Sequence, residues 1–118
     1  MGYIHTLADI PGHKRPVGTL QVLSGASNMV FWGKLDAGTV AKRHSHPNEQ
    51  ITWLMSARLS TAIGDEPETI VEAGQIMVIP AGVEHETKYL TDCEIAEFFS
   101  PPRTDMFPTA SAENPYAQ

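Results

Sequence analysis

Cysteine is almost missing from this chain: among 118 residues only Cys93 is one. A lone thiol closes no internal disulfide, and no Cys/His zinc-finger spacing exists. It sits in the alternating run Cys93-Glu94-Ile95-Ala96-Glu97-Phe98-Phe99, the setting of a packed structural thiol rather than an exposed nucleophile. Positive charge is scarce too: 8 Lys and Arg stand against 14 Asp and Glu, and the only basic pairs are Lys14-Arg15 and Lys42-Arg43. A phosphate-binding surface needs a sustained positive field, so nucleic acid is not an expected partner. No apolar stretch approaches the ~18 residues of a membrane-spanning helix, and residues 1–16 lack the apolar core of a signal peptide. The expectation is a cytoplasmic protein with no membrane partner.

Helical periodicity is also missing. Short runs of β-branched and aromatic residues recur instead, separated by Gly, Pro, Asn or Asp. They predict strands over 18–23, 28–35, 41–46, 50–55, 58–63, 68–72, 75–80, 85–90 and 94–100. Turn residues lie between them, as in Asp36-Ala37-Gly38, Pro47-Asn48, Ala73-Gly74 and Ala81-Gly82. Strands this short and evenly punctuated imply an all-β antiparallel sandwich or barrel. The length supports one domain, 1–118, with a core over about 18–103. An irregular segment is expected over 1–17 and a flexible arm over 104–118.

Five histidines occur. His5 and His13 lie in the irregular segment and read as surface residues. In an extended strand, His44 and His46 point to one face, about 7 Å apart along the chain. The strand bearing them enters from a turn at Gly38. Downstream, Gly74-Gln75-Ile76-Met77-Val78-Ile79-Pro80-Ala81-Gly82-Val83-Glu84-His85 builds a strand, a sharp turn and a new strand that opens on a histidine. A sandwich can bring that third imidazole opposite the first two.

The two motifs, in this order and roughly 30 residues apart, resemble the two-part signature of the cupin superfamily. The resemblance covers about residues 28–100. It implies a cupin-type antiparallel β-barrel, also described as a double-stranded β-helix or jelly roll, and one divalent transition metal bound by His44, His46 and His85. The first motif departs from the family pattern twice. Where cupins often carry glutamate this chain has Gln50, with Glu49 one step earlier. Family spacing makes Gln50 the fourth ligand, Glu49 being the alternative. A neutral amide leaves the ion's +2 charge uncompensated, which favours polarising a substrate oxygen over Fe(II)–O₂ chemistry. Zn, Ni, Fe, Mn and Co all suit such N/O donors. The second departure is Ala57 in place of a turn glycine, so the hairpin is expected to use a turn that needs no positive φ there. Beyond Gln50 the alternation places Thr52 and Leu54 on its face and the bulky Ile51, Trp53 and Met55 on the other. Those, with Trp32, suit packing between sheets or subunits.

Alternation in the last predicted strand puts Ile95, Glu97 and Phe99 on one face. A carboxylate among apolar neighbours is either solvated at an edge or buried as a general acid/base. The string Phe99-Ser100-Pro101-Pro102-Arg103 resembles the small cupins that linearise unsaturated monouronates in pectin and alginate breakdown. By that resemblance Glu97 is the catalytic acid/base, Phe99 an aromatic wall of the substrate site, and Arg103 the group that grips a carboxylate. Those relatives carry an aspartate where this chain has Glu97. Thr87 and Tyr89 share parity with His85 and are expected to line the barrel. The function implied is lyase- or isomerase-like proton transfer on a small, acidic or oxygen-rich molecule, by a homodimer paired through edge strands. Two alternatives stand beside it: an Fe- or Ni-dependent dioxygenase or polyketide-cyclase-like cupin, and a cupin that binds a small ligand without catalysis.

Overall fold

The computed structural model describes residues 2–15 and 18–106. Ten strands form in chain order: β1 His13–Arg15, β2 Gly18–Ser24, β3 Met29–Leu35, β4 Val40–His44, β5 Glu49–Ser56, β6 Arg58–Ile63, β7 Thr69–Glu72, β8 Ile76–Ile79, β9 His85–Tyr89 and β10 Cys93–Ser100. They pair antiparallel in two sheets, ordered β1-β2-β3-β10-β5-β8 and β4-β9-β6-β7. All nine predicted strands are present, and the double-sheet jelly roll agrees with the expected fold. Each sheet buries the face that its alternation makes apolar, and the two inner faces meet over Met29, Phe31, Leu54, Leu59, Ile95 and Phe99.

The N-terminal segment is less irregular than expected. His13–Arg15 pair with β2, and Leu7–Asp9 form a 3₁₀ turn. Side-chain bonds from Gln21 Nε2 to the carbonyls of Leu7 and Ile10, each 2.9 Å, tie the segment down. At the other end Thr104–Met106 also form a 3₁₀ turn, with Met106 packed against the core. The rest of the expected flexible arm lies outside the described residues.

Gly38, Gly74 and Gly82 take positive φ at the turns that they were expected to make. Ala57 does so as well, at φ 70°. Strands β5 and β6 lie in different sheets, so the link between them is a corner and not a hairpin, and it keeps a left-handed residue at Ala57, contrary to expectation. A Cβ in that region costs about 1–2 kcal/mol, which the core packing around Ala57 must offset.

Strand β4 also stops short of its predicted end. A register shift between Ala41 and His44 marks an irregularity, and pairing ends at His44. His46 thus stands in the loop before β5, and something other than strand alternation must orient it.

Candidate functional site

His44 and His85 face each other as a register pair between β4 and β9. His46 reaches the pair from its loop, which the second motif anchors: the Gly82 N–H donates to the His46 carbonyl at 2.9 Å. Ring centroids lie 4.4 Å apart for His44 and His85, 5.0 Å for His46 and His85, and 5.6 Å for His44 and His46. One ring nitrogen from each falls within 4.8 Å of the others.

The same device orients each ring. Nδ1 meets a backbone carbonyl two residues away: Lys42 O for His44 at 2.7 Å, Asn48 O for His46 at 2.9 Å, and Val83 O for His85 at 2.9 Å. A carbonyl only accepts, so Nδ1 carries the proton and each neutral ring presents an Nε2 lone pair. The Nε2 of His85 is buried without a hydrogen-bond partner, the one such side-chain atom among the described residues. Burial, with the neighbouring imidazoles and Arg103 adding to it, lowers the His85 pKa below 6.5 and keeps the ring neutral. Three converging lone pairs, one of them orphaned, fit a metal ion.

Gln50 meets this cluster from β5. Its Oε1 lies 3.0 Å from His46 Nε2, so two lone-pair carriers face each other, an arrangement that a shared cation relieves. The amide's orientation follows from its other end, where Nε2 donates to Thr52 Oγ1 at 2.9 Å and to Glu97 Oε2 at 2.6 Å. Thr52 Oγ1 donates to the same Oε2 at 2.6 Å. Glu49, one residue earlier, faces outward and is exposed. The alternation of β5, which begins at Glu49, separates the two candidates.

Glu97 is buried on β10, between Phe31 on β3 and Thr52 on β5. Burial pushes its carboxyl above 4.5, while the hydrogen bond from Thr52 and the charge of Arg103 hold it down in part. It opens onto a cavity of about 350 Å³ that also takes in His44, Gln50, His85, Thr87 and Tyr89. Small-molecule sites span about 300–1,000 Å³, which limits this one to a compact ligand. The Tyr89 hydroxyl, buried and near the Glu97 carboxyl, is held neutral, its pKa well above 10.

Residues 31–100 match the family described as the cupin domain, more than half of the chain. The chain is a cupin. Its relatives include an uncharacterized protein of Streptomyces coelicolor, 31% identical over 86 residues, which covers 72% of this chain and 81% of that protein. Among solved structures, KdgF from a Halomonas species superposes with a TM-score of 0.80 at 22% identity, over 90% of this cupin and 99% of that chain. An RmlC-like cupin from Shewanella frigidimarina gives 0.81 at 19% identity, over 89% and 96%. Bacillus subtilis oxalate decarboxylase, a protein with Mn(II) centers, gives 0.73 at 16% identity; this cupin spans 31% of it.

Two expected substrate contacts sit differently in this cupin. Phe99 is almost fully buried and lies behind the cavity wall, with its ring centroid 5.7 Å from that of His46. The Arg103 guanidinium stacks over the same ring, 5.2 Å from its centroid. Phe99 therefore supports two site residues instead of lining the cavity. Arg103 does line it, but Asp105 already holds one edge of its fork: Nε to Oδ1 at 3.2 Å and Nη2 to Oδ2 at 2.7 Å. Thr87 and Tyr89 line the cavity as expected. Sequence reasoning gave no role to Thr52 or Asp105; the parity of Thr52 with Gln50, and the two-residue spacing of Arg103 and Asp105, were the available signals. Cys93 is buried, its Sγ directed at the carbonyls of Arg58 and Thr91, as befits a structural thiol.

Proposed function

We propose that this cupin is a cytoplasmic, metal-dependent enzyme performing lyase- or isomerase-like proton transfer on a small acidic molecule, namely the linearisation of an unsaturated monouronate. A divalent ion, one of Zn, Ni, Fe, Mn or Co, would be held by Nε2 of His44, His46 and His85 and by Oε1 of Gln50. When bound it supplies Lewis acidity, undiminished by any anionic ligand in that donor set.

The observation that carries the reading is the placement of the Glu97 carboxyl. Its Oε2 accepts from both Gln50 and Thr52, whereas no donor among the described residues reaches Oε1. That leaves Oε1 as the edge on which a proton is carried to and from the cavity. Glu97 there donates a proton to the enol carbon and recovers one from the enol hydroxyl, so that the opened enol becomes a ketone and the carboxyl is restored. Arg103 retains the Nη1 side of its fork for the substrate carboxylate. Thr87 and Tyr89 offer hydroxyls to the sugar oxygens, and the apolar lining of Leu20, Phe31 and Leu35 excludes water. The string Phe99-Ser100-Pro101-Pro102-Arg103 supports the choice of substrate, and the reading has the enzyme working as a homodimer.

The test follows the absorbance of unsaturated monouronates together with dissolved oxygen, using protein purified without chelators and analysed for metal. Expected is a loss of absorbance with no oxygen uptake, abolished by chelation and restored by a divalent ion. Turnover confined to β-diketones with oxygen uptake would overturn the reading in favour of a dioxygenase. Metal-free protein that turns over no uronate after metal addition would favour a binding protein.

A further inference from the structure

His46 is the one imidazole of the cluster that the sheets do not place. His44 and His85 are a register pair between β4 and β9, so the ladder fixes how far apart they stand. His46 comes after the end of β4, and residues 45–48 lie outside every strand until β5 opens at Glu49. Its ring is aimed by the Asn48 carbonyl, which accepts from Nδ1 at 2.9 Å. That acceptor belongs to the same short loop as the ring, so it orients the imidazole within the loop and not within the barrel.

The Asn48 side chain supplies the missing hold. Ser100 is the register partner of Glu49 in the β5–β10 ladder, and one further step of that register sets Pro101 against Asn48. Proline has no N–H to give, so the backbone exchange stops there. The Asn48 Nδ2 donates to the Pro101 carbonyl instead, from a residue only 6% exposed. A buried carboxamide is costly unless it is bonded, and this one meets a carbonyl that the ladder leaves over. Pro101 is a firm anchor because both its flanks are fixed. Before it, Phe99 lies in the core and Ser100 Oγ donates to the Ser27 carbonyl at 2.9 Å; after it, Met106 packs against the same core.

We infer that Asn48 is a positioning residue of the metal site: its carboxamide clamps the loop between β4 and β5 onto the segment after β10 and so sets where His46 Nε2 stands relative to His44 and His85. The inference rests on the metal reading in the proposed function and adds a residue outside the donor set. Gly82 holds the same loop at the His46 carbonyl. With that bond alone the loop can pivot about one point, and the ring turns with it; the Asn48 clamp is the second point that stops the pivot. Metal–nitrogen distances are held to about 0.2 Å, so a small rotation of one ring is read as lost affinity.

Competition for Zn²⁺ against a chromophoric chelator measures that affinity without turnover. Asn48→Ala and Asn48→Leu should each bind Zn²⁺ about tenfold more weakly than wild type, the lower end of the ~10–100-fold cost of losing an outer partner of a metal ligand. Leucine keeps the branched outline of the side chain and removes its polar ends, which separates the hydrogen bond from packing. Gln21→Ala is the control for stability: it also removes a carboxamide that donates to backbone carbonyls, on β2, and should lower the melting temperature with Zn²⁺ affinity unchanged. Every variant is compared at a temperature where its far-ultraviolet spectrum matches that of wild type. Wild type that binds no Zn²⁺ would overturn the metal reading and this inference with it. Wild type that binds Zn²⁺ while both Asn48 variants bind it equally well would overturn the role of Asn48 alone, as would an equal loss of affinity in Gln21→Ala.

Discussion

The Gln50 side chain joins the imidazole cluster to the buried carboxyl: its Nε2 donates to Glu97 Oε2 at 2.6 Å while its Oε1 faces His46 Nε2 at 3.0 Å. Only a carboxamide does both, because a glutamate at 50 has no N–H to give. The replacement of the familiar glutamate is thus matched by the acid on the neighbouring strand, β10.

Glu97→Gln should reduce kcat by about 10²–10⁴, the usual worth of general acid/base catalysis. Metal content, read by elemental analysis, should stay at the wild-type level, because Glu97 is assigned to proton transfer and not to ligation. Gln50→Glu should change both readouts. An anionic ligand tightens metal binding in a chelator competition, while two carboxyls at hydrogen-bond distance come to share one proton and turnover falls.

The pH dependence of stability in metal-free protein should show two opposed contributions. His85 has its pKa lowered below 6.5 in the fold, so the stability it gives is present above 6.5 and is lost as pH falls through the folded value. Glu97 has its pKa raised above 4.5, so its contribution is present below 4.5 and is lost as pH rises through the folded value. Thermal melts in chelator across this window should rise less steeply with pH in His85→Asn than in wild type, and more steeply in Glu97→Gln. Metal affinity itself should drop as acid protonates the imidazoles, since only neutral rings ligate.

Asp105 fixes one edge of the Arg103 fork and Phe99 supports its plane. Asp105→Asn should loosen that hold and raise KM for an acidic substrate roughly tenfold, the scale of one charge-assisted hydrogen bond at ~1.5 kcal/mol. The kcat should not move, because Asp105 does not line the cavity. Arg103→Lys should raise KM at least as much, having no fork to share between Asp105 and a ligand.

Ala57→Gly should stabilise the fold by about 1 kcal/mol, because relief of the left-handed strain exceeds the added flexibility of the unfolded chain. A denaturant midpoint shifted upward with an unchanged slope would show it.

Much of the fold was legible because an inside and an outside impose a period of two. Strand β10 shows this well: Ile95, Glu97 and Phe99 turn inward and Phe98 outward, as alternation requires. The same rule predicts Gln50 and Thr52 inward from the body of β5. It failed where the backbone leaves the extended form. His46 was read as the end of a strand, yet it stands past the irregularity in β4, and a hydrogen bond to the Asn48 carbonyl aims its ring. Ala57 misled for a related reason. Residue type predicts the easiest turn, but the passage from β5 in one sheet to β6 in the other takes a left-handed residue at Ala57 despite its side chain.

By itself, the amino-acid sequence determined the strand pattern, the turn glycines and the two histidine motifs of a cupin, since each depends on chemistry within a few neighbouring residues. Tertiary structure alone decided that Gly82 would tether the His46 loop, that Gln50 and Thr52 would hold Glu97 from another strand, and that Asp105 would occupy part of Arg103. The first two are contacts between segments remote in sequence, and their geometry exists only once two sheets close over one core. The third joins near neighbours, but it depends on a 3₁₀ turn whose place is set by packing Met106 against that core.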